Sequence, residues 1–395
     1  MNILLISPML HQGGFERICV MTARLLKEKH KVTIAVFSLE DLAFDIDGLE
    51  VVNLNLPAVP GRAAKIINIA KRAIALTKLQ KKRKIDCSYS FGTTANIANA
   101  CSRGKCFKLA ACHSFEEIKS LVYMDLIGSL CDKVVCCSEK MTDYVRQKYP
   151  RIGAETLWNP CDLERVAKQS KDAVSDLPFA DALDDGKGTG DSGQKRRFLV
   201  TMGREDDVKG YWHLLRIFAG VEKRHPETRL MIVGDGTFTE YKEQAKHLGV
   251  ADKVAFTGHK TNPFPYTAAA DLFLLTSLSE GLPNVLVESM ALGVPVVSVN
   301  CMSGPAEILH EDWKRAEMQD GVFRADYGVL TPPLSAHKDL QGTELEPEEE
   351  QMVSAICSLL EQEEERNHYC QKGKLGSRRF TPEAYCTRLE VLMKG

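Results

Sequence analysis

The segment ADLFLLTSLSEGLPNVLVESMALGVPVVSVN, residues 270 to 300, predicts a strand, a loop, a helix and a second strand in succession. The apolar runs ADLFLLTS and PVVSVN are typical of buried strands in a parallel sheet. Pro283 suits the first turn of a helix and Gly293 suits its end, so we expect a helix from about Pro283 to Leu292. Glu280 then falls in the strand-to-helix loop.

A second carboxylate lies on the predicted helix itself. Glu288 shares a face with Asn284, because the two residues are four positions apart. The residues expected to pack the helix against its domain are Val285, Leu286, Ala291 and Leu292. Packing alone gives no reason for the polar face, so Glu280 and Glu288 are candidates for a functional role.

Length and composition indicate a globular protein with two domains. The chain of 395 residues exceeds what one hydrophobic core usually covers, and its 44% hydrophobic residues suffice for two cores. A formal net charge of −2 argues against a general nucleic-acid-binding protein, which needs an excess of Lys and Arg to meet phosphates.

The sequence also predicts the compartment. The N-terminal run MNILLISPML is short and lacks a basic region, so it predicts a first strand and not a signal peptide. No stretch approaches the roughly 18 uninterrupted apolar residues of a membrane span. Thirteen scattered cysteines indicate reduced thiols, and Cys101 and Cys106 lack a second pair at metal-ligand spacing. We therefore expect a cytoplasmic protein without a zinc site.

Strand-like and helix-like segments alternate in two series. The first series contains the strands NILLIS, KVTIAVF, CSYSF, FKLAAC and KVVCCS, and the second contains RFLVTMG, RLMIVG, KVAFTG, DLFLLT and PVVSVN. Such alternation predicts two doubly wound α/β domains, which we place at residues 1–170 and 196–375. The acidic, Gly-rich segment 171–195 is expected to be a linker or flexible loop. Residues 376–395 predict a C-terminal helix, with the first domain as its candidate packing partner.

Two further segments carry unusual charge. Residues 61–84 hold nine Lys or Arg residues and no acid, so this basic helix is a candidate for binding an anionic membrane surface. An ordinary cationic surface helix is the alternative interpretation. The segment ELEPEEEQMVSAICSLLEQEEE predicts a charged helix whose acidic run forms a solvated face.

Cations follow one strand of the second series. Arg204 and Lys209 lie between the strand RFLVTMG and a predicted helix, where a helix N-terminus also favours anions. An Arg fork and a Lys point charge together suit a diphosphate. The alternative is a solvated loop in which Arg204 pairs with Glu205 or Asp207.

Glycines and one histidine follow other predicted strands. Gly13 and Gly14 come after the first strand and Gly234 comes after RLMIVG, so the backbone could approach a ligand there, although a simple turn explains either as well. The spacing is not the Gly-x-Gly-x-x-Gly fingerprint of NAD-dependent oxidoreductases, which disfavours that class. His113 also ends a predicted strand, where it is either a site residue or an ordinary loop or core residue.

Together these motifs resemble the family-4 retaining glycosyltransferases, enzymes whose GT-B fold consists of two Rossmann-like domains facing each other across a cleft. The stretch EGLPNVLVE is similar to the Glu-x7-Glu motif of the family, and GGFER, NPCDLE, GR with KG, and VGDG occur in the order typical of the family. SGPAEIL is similar to a segment of enzymes that build surface polysaccharides. Residues 310–330 form a longer path than is usual, and residues 179–194 look like an insertion, so the roles of both segments stay open.

The resemblance implies a role for each candidate residue. Glu280 would bind hydroxyls of a donor sugar and Glu288 the ribose of a nucleotide, while Arg204 and Lys209 would neutralise the leaving diphosphate. His113 would contact the donor sugar near the reacting centre. The other residues implied to bind the donor are Gly13, Gly14, Gly203, Gly234, Gly281, Leu282, Pro283 and Asn284.

The implied activity is transfer of a hexosyl group from a nucleotide-diphosphate donor, with UDP as a candidate nucleotide, to a hydroxyl of a glycan or lipid-linked acceptor. The resemblance also implies retention of the anomeric configuration and no requirement for a metal or a bound cofactor. The inner face of the membrane is a candidate location. Two alternatives remain, a sugar-nucleotide epimerase of similar architecture and a non-catalytic protein that binds a sugar nucleotide.

Overall fold

The computed structural model describes residues 1–11, 13–179 and 197–394. The chain divides into two compact units, one of Met1–Pro160 with Pro382–Gly395 and the other of Cys161–Thr381. The expected pair of doubly wound α/β domains is confirmed by a parallel-sheet architecture in each unit.

A seven-stranded sheet with the order β3-β2-β1-β4-β5-β6-β7 forms the first unit, and all its neighbouring strands are parallel. The strands are β1 Asn2–Ser7, β2 Lys31–Val36, β3 Glu50–Asn53, β4 Cys87–Phe91, β5 Phe107–Cys112, β6 Lys133–Cys136 and β7 Ala154–Thr156. The helices between them are α1 Gly14–Leu26, α2 Arg62–Arg83, α3 Thr93–Cys101, α4 Phe115–Lys119, α5 Leu121–Leu130 and α6 Glu139–Lys148.

The apolar run of β1 is buried on both faces of this sheet. Ile3 and Leu5 belong to one hydrophobic cluster, whereas Leu4 and Ile6 belong to another, because successive side chains of a strand point to opposite faces. A strand covered by helices on both sides needs continuous apolar sequence, which is why NILLIS was recognisable as a strand.

The second unit contains a sheet with the order β10-β9-β8-β11-β12-β14-β13, parallel except for β13, which runs antiparallel to β14. Its strands are β8 Arg197–Met202, β9 Thr228–Val233, β10 Val254–Gly258, β11 Leu272–Leu275, β12 Val296–Val299, β13 Phe323–Arg324 and β14 Val329–Thr331. Its helices are α7 Leu163–Gln169, α8 Tyr211–Arg224, α9 Thr239–His247, α10 Phe264–Ala268, α11 Asn284–Leu292, α12 Pro305–Leu309, α13 Trp313–Glu317, α14 Pro347–Glu361 and α15 Glu363–Ser377. The strand order reverses between β8 and β11, the point at which open α/β sheets bind ligands.

A last helix, α16 Pro382–Leu392, returns to the first unit. It packs on α1, where the Tyr385 hydroxyl and Thr22 Oγ1 are 2.7 Å apart and buried. Leu389 and Leu392 join the same hydrophobic cluster as Ile18. The C-terminal segment is thus part of the core of the N-terminal unit.

The segment that follows the first unit belongs structurally to the second. The division falls between Pro160 and Cys161, ahead of the predicted boundary at residue 170, because α7 packs on α10 and α11. Of the predicted linker and insertion, residues 180–195 lie outside the described residues. In the described part, Asp176 bonds Lys260 and Tyr266, and Asn262 Nδ2 donates to Asp172 Oδ2 at 2.9 Å.

The predicted acidic helix is two helices, α14 and α15, and its acids do not all face solvent. Glu349 is fully buried, and its carboxylate accepts hydrogen bonds from Arg216 Nε at 3.0 and 3.1 Å. Although burial raises its pKa, hydrogen bonds from His213 and Arg216 hold the pKa of Glu349 below its usual value. The expectation of a wholly solvated acidic face is therefore wrong, because Glu349 forms a buried ion pair between α8 and α14.

Two further sequence-based expectations concern membranes and disulfides. Among the described helices, none combines the length and the apolar composition needed to cross a bilayer. All thirteen cysteines lie in the described residues, and none of them forms a disulfide.

Candidate active site

The loop between β8 and α8, residues 203–210, carries the predicted cations and is held by several neighbours. The Tyr211 hydroxyl donates to the Gly203 carbonyl at 2.6 Å, and Thr276 Oγ1 donates to the Lys209 carbonyl at 3.0 Å. Gly210 adopts φ +62°, and a Cβ there would lie 2.4 Å from the Thr276 carbonyl oxygen. Only glycine fits this position, so the loop has one well-defined path.

Lys209 and Glu280 are brought into direct contact. Lys209 Nζ lies 2.6 Å from Glu280 Oε1, and the two side chains are 22% and 13% exposed. Arg204, by contrast, is 72% exposed and donates from Nε and Nη2 to Asp206 Oδ2 at 3.2 and 3.0 Å. Lys209 is therefore paired with Glu280, the predicted sugar-binding carboxylate, whereas Arg204 lies at the surface.

The acids of this loop have other partners than those proposed from the sequence. Arg204 pairs with Asp206 and not with Glu205 or Asp207. Glu205 Oε2 accepts from the Phe238 N–H at 2.9 Å, and Asp207 Oδ1 accepts from Lys338 Nζ at 2.7 Å. Both acids thus attach the loop to the following elements of the unit.

The turn after β9 lies directly against this loop. A Cβ on Gly234 would come within 1.8 Å of the Gly203 carbonyl oxygen, so the two backbones are in contact. Gly203 N–H donates to the Val233 carbonyl at 2.9 Å. The glycine at 234 is therefore required by close approach of two protein segments, whatever it contributes to a ligand.

The loop after β11 is fixed by the segment that follows β12. Glu280 N–H donates to the Met302 carbonyl at 2.6 Å, and Ser303 Oγ donates to the Gly281 carbonyl at 3.0 Å. Leu282 is only 5% exposed and anchors the loop from inside. Glu280 thus projects from a backbone that is held on both sides.

Helix α11 begins at Asn284, with Pro283 as an extended N-cap, within one residue of the predicted start. Glu288 is 4% exposed, one turn along from Asn284.

The prediction of the packing face of α11 was only partly right. The buried residues of α11 are Leu286, Val287, Glu288, Ser289 and Met290, whereas Val285, Ala291 and Leu292 are partly exposed. The reason is that α15, α10 and α7 all pack on α11, so most of its circumference is covered.

The remaining predicted site residues belong to the first unit. His113 follows β5, and its ring stacks on those of Phe15 and Phe91, with centroids 6.4 and 5.9 Å away. Burial lowers the pKa of His113 to about 4, so the imidazole is neutral at pH 7. Its Nε2 atom is inaccessible to solvent and has no hydrogen-bond partner in the described part of the chain.

Gly13 and Gly14 lie at the start of α1, after β1. Gly13 is the extended N-cap, and a Cβ there would meet Glu16 Oε2 at 2.1 Å. A Cβ on Gly14 would have no neighbour within 4 Å. A side chain at 13 would displace the Glu16 carboxylate, whereas at 14 the protein leaves open space.

The predicted residues thus form two groups, each at the carboxyl ends of parallel strands. In the second unit the group comprises residues 203, 204, 209, 234, 280–284 and 288, with Lys209 and Glu280 in contact. In the first unit it comprises Gly13, Gly14 and His113. Sequence reasoning missed Asp206 as the partner of Arg204 and also missed Glu117, which binds the His113 backbone at 2.9 Å. Neither pairing has a signal in sequence spacing.

Within the described residues, one group of His, Cys, Asp or Glu side chains is close enough to hold a metal ion, namely His213, Glu346 and Glu349. Arg216 Nη2 lies 2.8 Å from Glu349 Oε1 and 3.3 Å from Glu346 Oε1, and His213 Nε2 lies 2.8 Å from the Ser335 carbonyl. The Arg216 guanidinium pairs with both carboxylates, so the group is an ion-pair network.

Comparison with known proteins agrees with this architecture. The family model for glycosyl transferases group 1 matches residues 187–316. An uncharacterized glycosyltransferase of Methanocaldococcus jannaschii is 31% identical over 201 residues, covering 50% of this chain and 49% of the relative, so the matched segment spans about half its length. A Campylobacter jejuni enzyme is 23% identical over 390 residues, covering 94% of this chain and 93% of its own. It is the N-acetylgalactosamine-N,N'-diacetylbacillosaminyl-diphospho-undecaprenol 4-alpha-N-acetylgalactosaminyltransferase.

Solved structures share the fold at low sequence identity. HepE of Anabaena, in complex with UDP and glucose, superposes with a TM-score of 0.74 at 18% identity over 100% of this chain and 99% of its own. Sucrose-phosphate synthase from Thermosynechococcus elongatus gives a TM-score of 0.74 at 16% identity over 100% and 98% of the two chains. The predicted GT-B fold is confirmed, and residues 187–316 are similar to the glycosyl transferases of group 1.

Proposed function

We propose that this glycosyltransferase moves a sugar from a nucleotide-diphosphate donor to a hydroxyl of a lipid-linked glycan, with retention of anomeric configuration and without a metal ion. The observation that carries the proposal is the 2.6 Å contact between Lys209 and Glu280 at the β8 and β11 ends. A cation for phosphate and a carboxylate for sugar hydroxyls lie side by side at the point where the strand order reverses.

The donor roles follow from exposure and charge. Glu280 retains one carboxylate oxygen besides the one that contacts Lys209, so it can accept a hydrogen bond from a sugar hydroxyl. Arg204 uses Nε and Nη2 on a single oxygen of Asp206, which leaves Nη1 donors for a phosphate. Glu288 sits one turn into α11, and we assign its carboxylate to the ribose.

The chemistry needs charge stabilisation more than proton transfer. Loss of the nucleoside diphosphate leaves an oxocarbenium-like centre and places new negative charge on the leaving group. We assign the stabilisation of that charge to Lys209 and Arg204. These two cations take the role that a divalent metal has in other glycosyltransferases.

His113 suits a contact with the sugar because it is neutral. An imidazole whose pKa is about 4 carries no charge at pH 7, so it would not repel a cationic reacting centre. Its Nε2 has no partner in the described residues but is closed to solvent, so a sugar hydroxyl would reach it only after neighbouring side chains move. Retention and the part taken by His113 rest on the family resemblance together with this geometry.

The acceptor assignment rests on relatives and on α2. The Campylobacter jejuni relative acts on an undecaprenol diphosphate-linked sugar, as its name states. Helix α2 exposes Ile66, Ile67 and Ile74, which are 69%, 57% and 56% exposed, among basic residues and without an acid. Exposed isoleucines beside cations suit the boundary of an anionic membrane, so we propose peripheral association there.

The test is nucleoside diphosphate release measured with a panel of nucleotide sugars, with and without an undecaprenyl diphosphate-linked sugar. Release that depends on the acceptor, and that falls strongly in Glu280→Gln, supports sugar transfer. Isomerisation of the donor without an acceptor would identify an epimerase. Binding of the donor without any turnover would identify a non-catalytic binding protein, and either outcome contradicts the proposal.

A further inference from the structure

The turn that carries His113 is fixed by a glutamate that lies outside the family motifs. Glu117, in the single-turn helix α4, accepts from the His113 N–H through Oε2 at 2.9 Å. The first N–H group after β5 is therefore bound by a carboxyl group four residues further along the chain.

The other oxygen of Glu117 connects this turn to a neighbouring helix. Glu117 Oε1 accepts from Thr93 Oγ1 at 3.1 Å, and Thr93 is the first residue of α3. Glu117 is partly buried, so water competes only weakly for these bonds. Its carboxyl group thus bridges the ends of β4 and β5 on the side where His113 emerges.

The ring of His113 is held by two aromatic side chains, one at the end of β4 and one in α1. Phe91 ends β4, and Phe15 reaches over Gly92, where a Cβ would meet the Phe15 ring at 3.0 Å. Both rings stack on His113 at interplanar angles of 18° and 26°. The rings fix the tilt of the imidazole, whereas Glu117 fixes the backbone from which it extends.

We infer that Glu117 is a positioning residue for glycosyl transfer, which acts by holding His113 in the place where it contacts the donor sugar. This inference rests on the proposed function of His113. Displacement of a contacting group by about 1 Å costs on the order of a hundredfold in rate, so loss of the Glu117 bonds should appear in kcat. Binding of the nucleotide, assigned to the second unit, should be unaffected.

The hydrogen bonds of Glu117 determine which substitutions test its role. Glu117→Met keeps the length of the side chain and removes both acceptor oxygens. Glu117→Gln keeps one acceptor oxygen for the His113 N–H, and its amide can donate to Thr93, so it serves as the conservative rescue. Glu116→Met is the matched control, because Glu116 is the neighbouring acid, is 67% exposed and pairs with Lys119.

The experiment is a double-mutant cycle on kcat with His113→Ala. Glu117→Met should lower kcat by roughly ten- to a hundredfold with unchanged UDP affinity, and Glu117→Gln should recover most of that loss. In the His113→Ala background, Glu117→Met should cause no further loss. An equal loss of kcat in the wild-type and His113→Ala backgrounds would overturn the assignment. A loss of UDP affinity with unchanged kcat would also overturn it.

Hydrogen exchange at the His113 amide separates this inference from the proposed function, because it needs no turnover. Protection of that amide should fall in Glu117→Met and stay unchanged in Glu116→Met. Unchanged protection in Glu117→Met overturns the inference even for an active transferase. A wild-type protein that transfers no sugar contradicts the proposed function, while the exchange result still decides whether Glu117 holds the His113 backbone.

Discussion

Glu280 and Glu288 are eight residues apart in sequence but have different surroundings. We therefore expect substitutions of the two residues to change different kinetic constants. Glu280 contacts Lys209 and is assigned to the sugar, which changes charge during the reaction. Glu288 lies within α11 and is assigned to the ribose, which does not react. A contact that strengthens only in the transition state raises kcat, whereas a contact equal in both states mainly lowers KM.

We therefore expect Glu280→Gln to reduce chiefly kcat. Glu288→Gln should weaken UDP binding by about ten- to a hundredfold, because a charge-assisted hydrogen bond is worth roughly 1.5–3 kcal/mol. UDP carries the ribose but no sugar, so its affinity should change little in Glu280→Gln, in which Lys209 keeps its charge. Calorimetric titration of UDP into both variants checks this, and a larger loss for Glu280→Gln would show that the two roles are misassigned.

His113 predicts a pH dependence of stability. Its pKa of about 4 in the folded protein is below the ordinary value of 6.5, so the unfolded chain binds more protons between these limits. Stability due to His113 is therefore complete above about pH 6.5 and declines as the pH falls towards 4, by at most about 1.4 kcal/mol per pH unit.

The measurement is urea unfolding of wild type and His113→Gln between pH 4 and 7. The difference in free energy of unfolding between the two proteins should shrink as the pH falls. Glu117 has the opposite effect, because burial raises its pKa, but it is present in both proteins and cancels in the difference. A difference that is constant with pH would contradict the buried, neutral state of His113.

Among the elements, α8 and α14 are joined by the buried pair of Arg216 and Glu349. Removing the guanidinium leaves Glu349, which is fully buried, without its cation. Arg216→Met should therefore cost about 3–5 kcal/mol, the usual cost of breaking a buried ion pair from one side. Urea unfolding measures this cost.

A matched control lies on the same two helices. Arg224 pairs with Glu350 at the surface, where both side chains are nearly half exposed, so Arg224→Met should cost less than about 1 kcal/mol. If the two variants were equally stable, the network around Glu349 would have no special part in stability.

The proposed membrane association of α2 can be tested through its exposed lysines. Arg72 is buried and donates to the Leu56 carbonyl at 2.8 and 3.0 Å, so it is not available to lipid, whereas Lys65, Lys71, Lys78 and Lys81 are exposed. Each basic residue near an anionic surface contributes about 1 kcal/mol. Replacing these four lysines with Gln should lower binding to anionic vesicles by at least about tenfold in liposome sedimentation.

Neutral vesicles and a second variant provide the controls. Binding to neutral vesicles should be weak for every protein. Replacing four lysines of the second unit with Gln, namely Lys223, Lys242, Lys246 and Lys372, changes the net charge equally and should leave vesicle binding unchanged. Equal loss in both variants would mean that total charge, and not α2, determines binding.

Sequence predicted the elements well where burial on both faces requires continuous apolar runs. NILLIS, CSYSF and FKLAAC became β1, β4 and β5 with the predicted limits. The short strands β3, β7, β13 and β14 were missed, because two to four residues carry no measurable period. Which acids are buried depends on contacts between distant elements, which the sequence does not show. For this reason Glu349 was predicted to lie on a solvated face, whereas it is buried against α8.

For the candidate site, sequence located the loops but not the partners. Arg204, Lys209, Glu280 and Glu288 were recognised because they follow strands in a known order. Their pairing could not be predicted, because Lys209 and Glu280 are far apart in the chain and meet only through the neighbouring positions of β8 and β11. The same holds for Glu117, because its contacts with the His113 N–H and Thr93 Oγ1 are visible only in the structure.

At the scale of the whole molecule, the central proposal is that the chain transfers a sugar from a nucleotide to an acceptor with retention. The most direct measurement is NMR of the product formed from an α-linked UDP-sugar and an undecaprenyl diphosphate-linked acceptor. We expect one equivalent of UDP per glycosidic bond formed and an α-anomeric coupling constant in the product. A β-linked product, or release of UDP that does not depend on the acceptor, would contradict it.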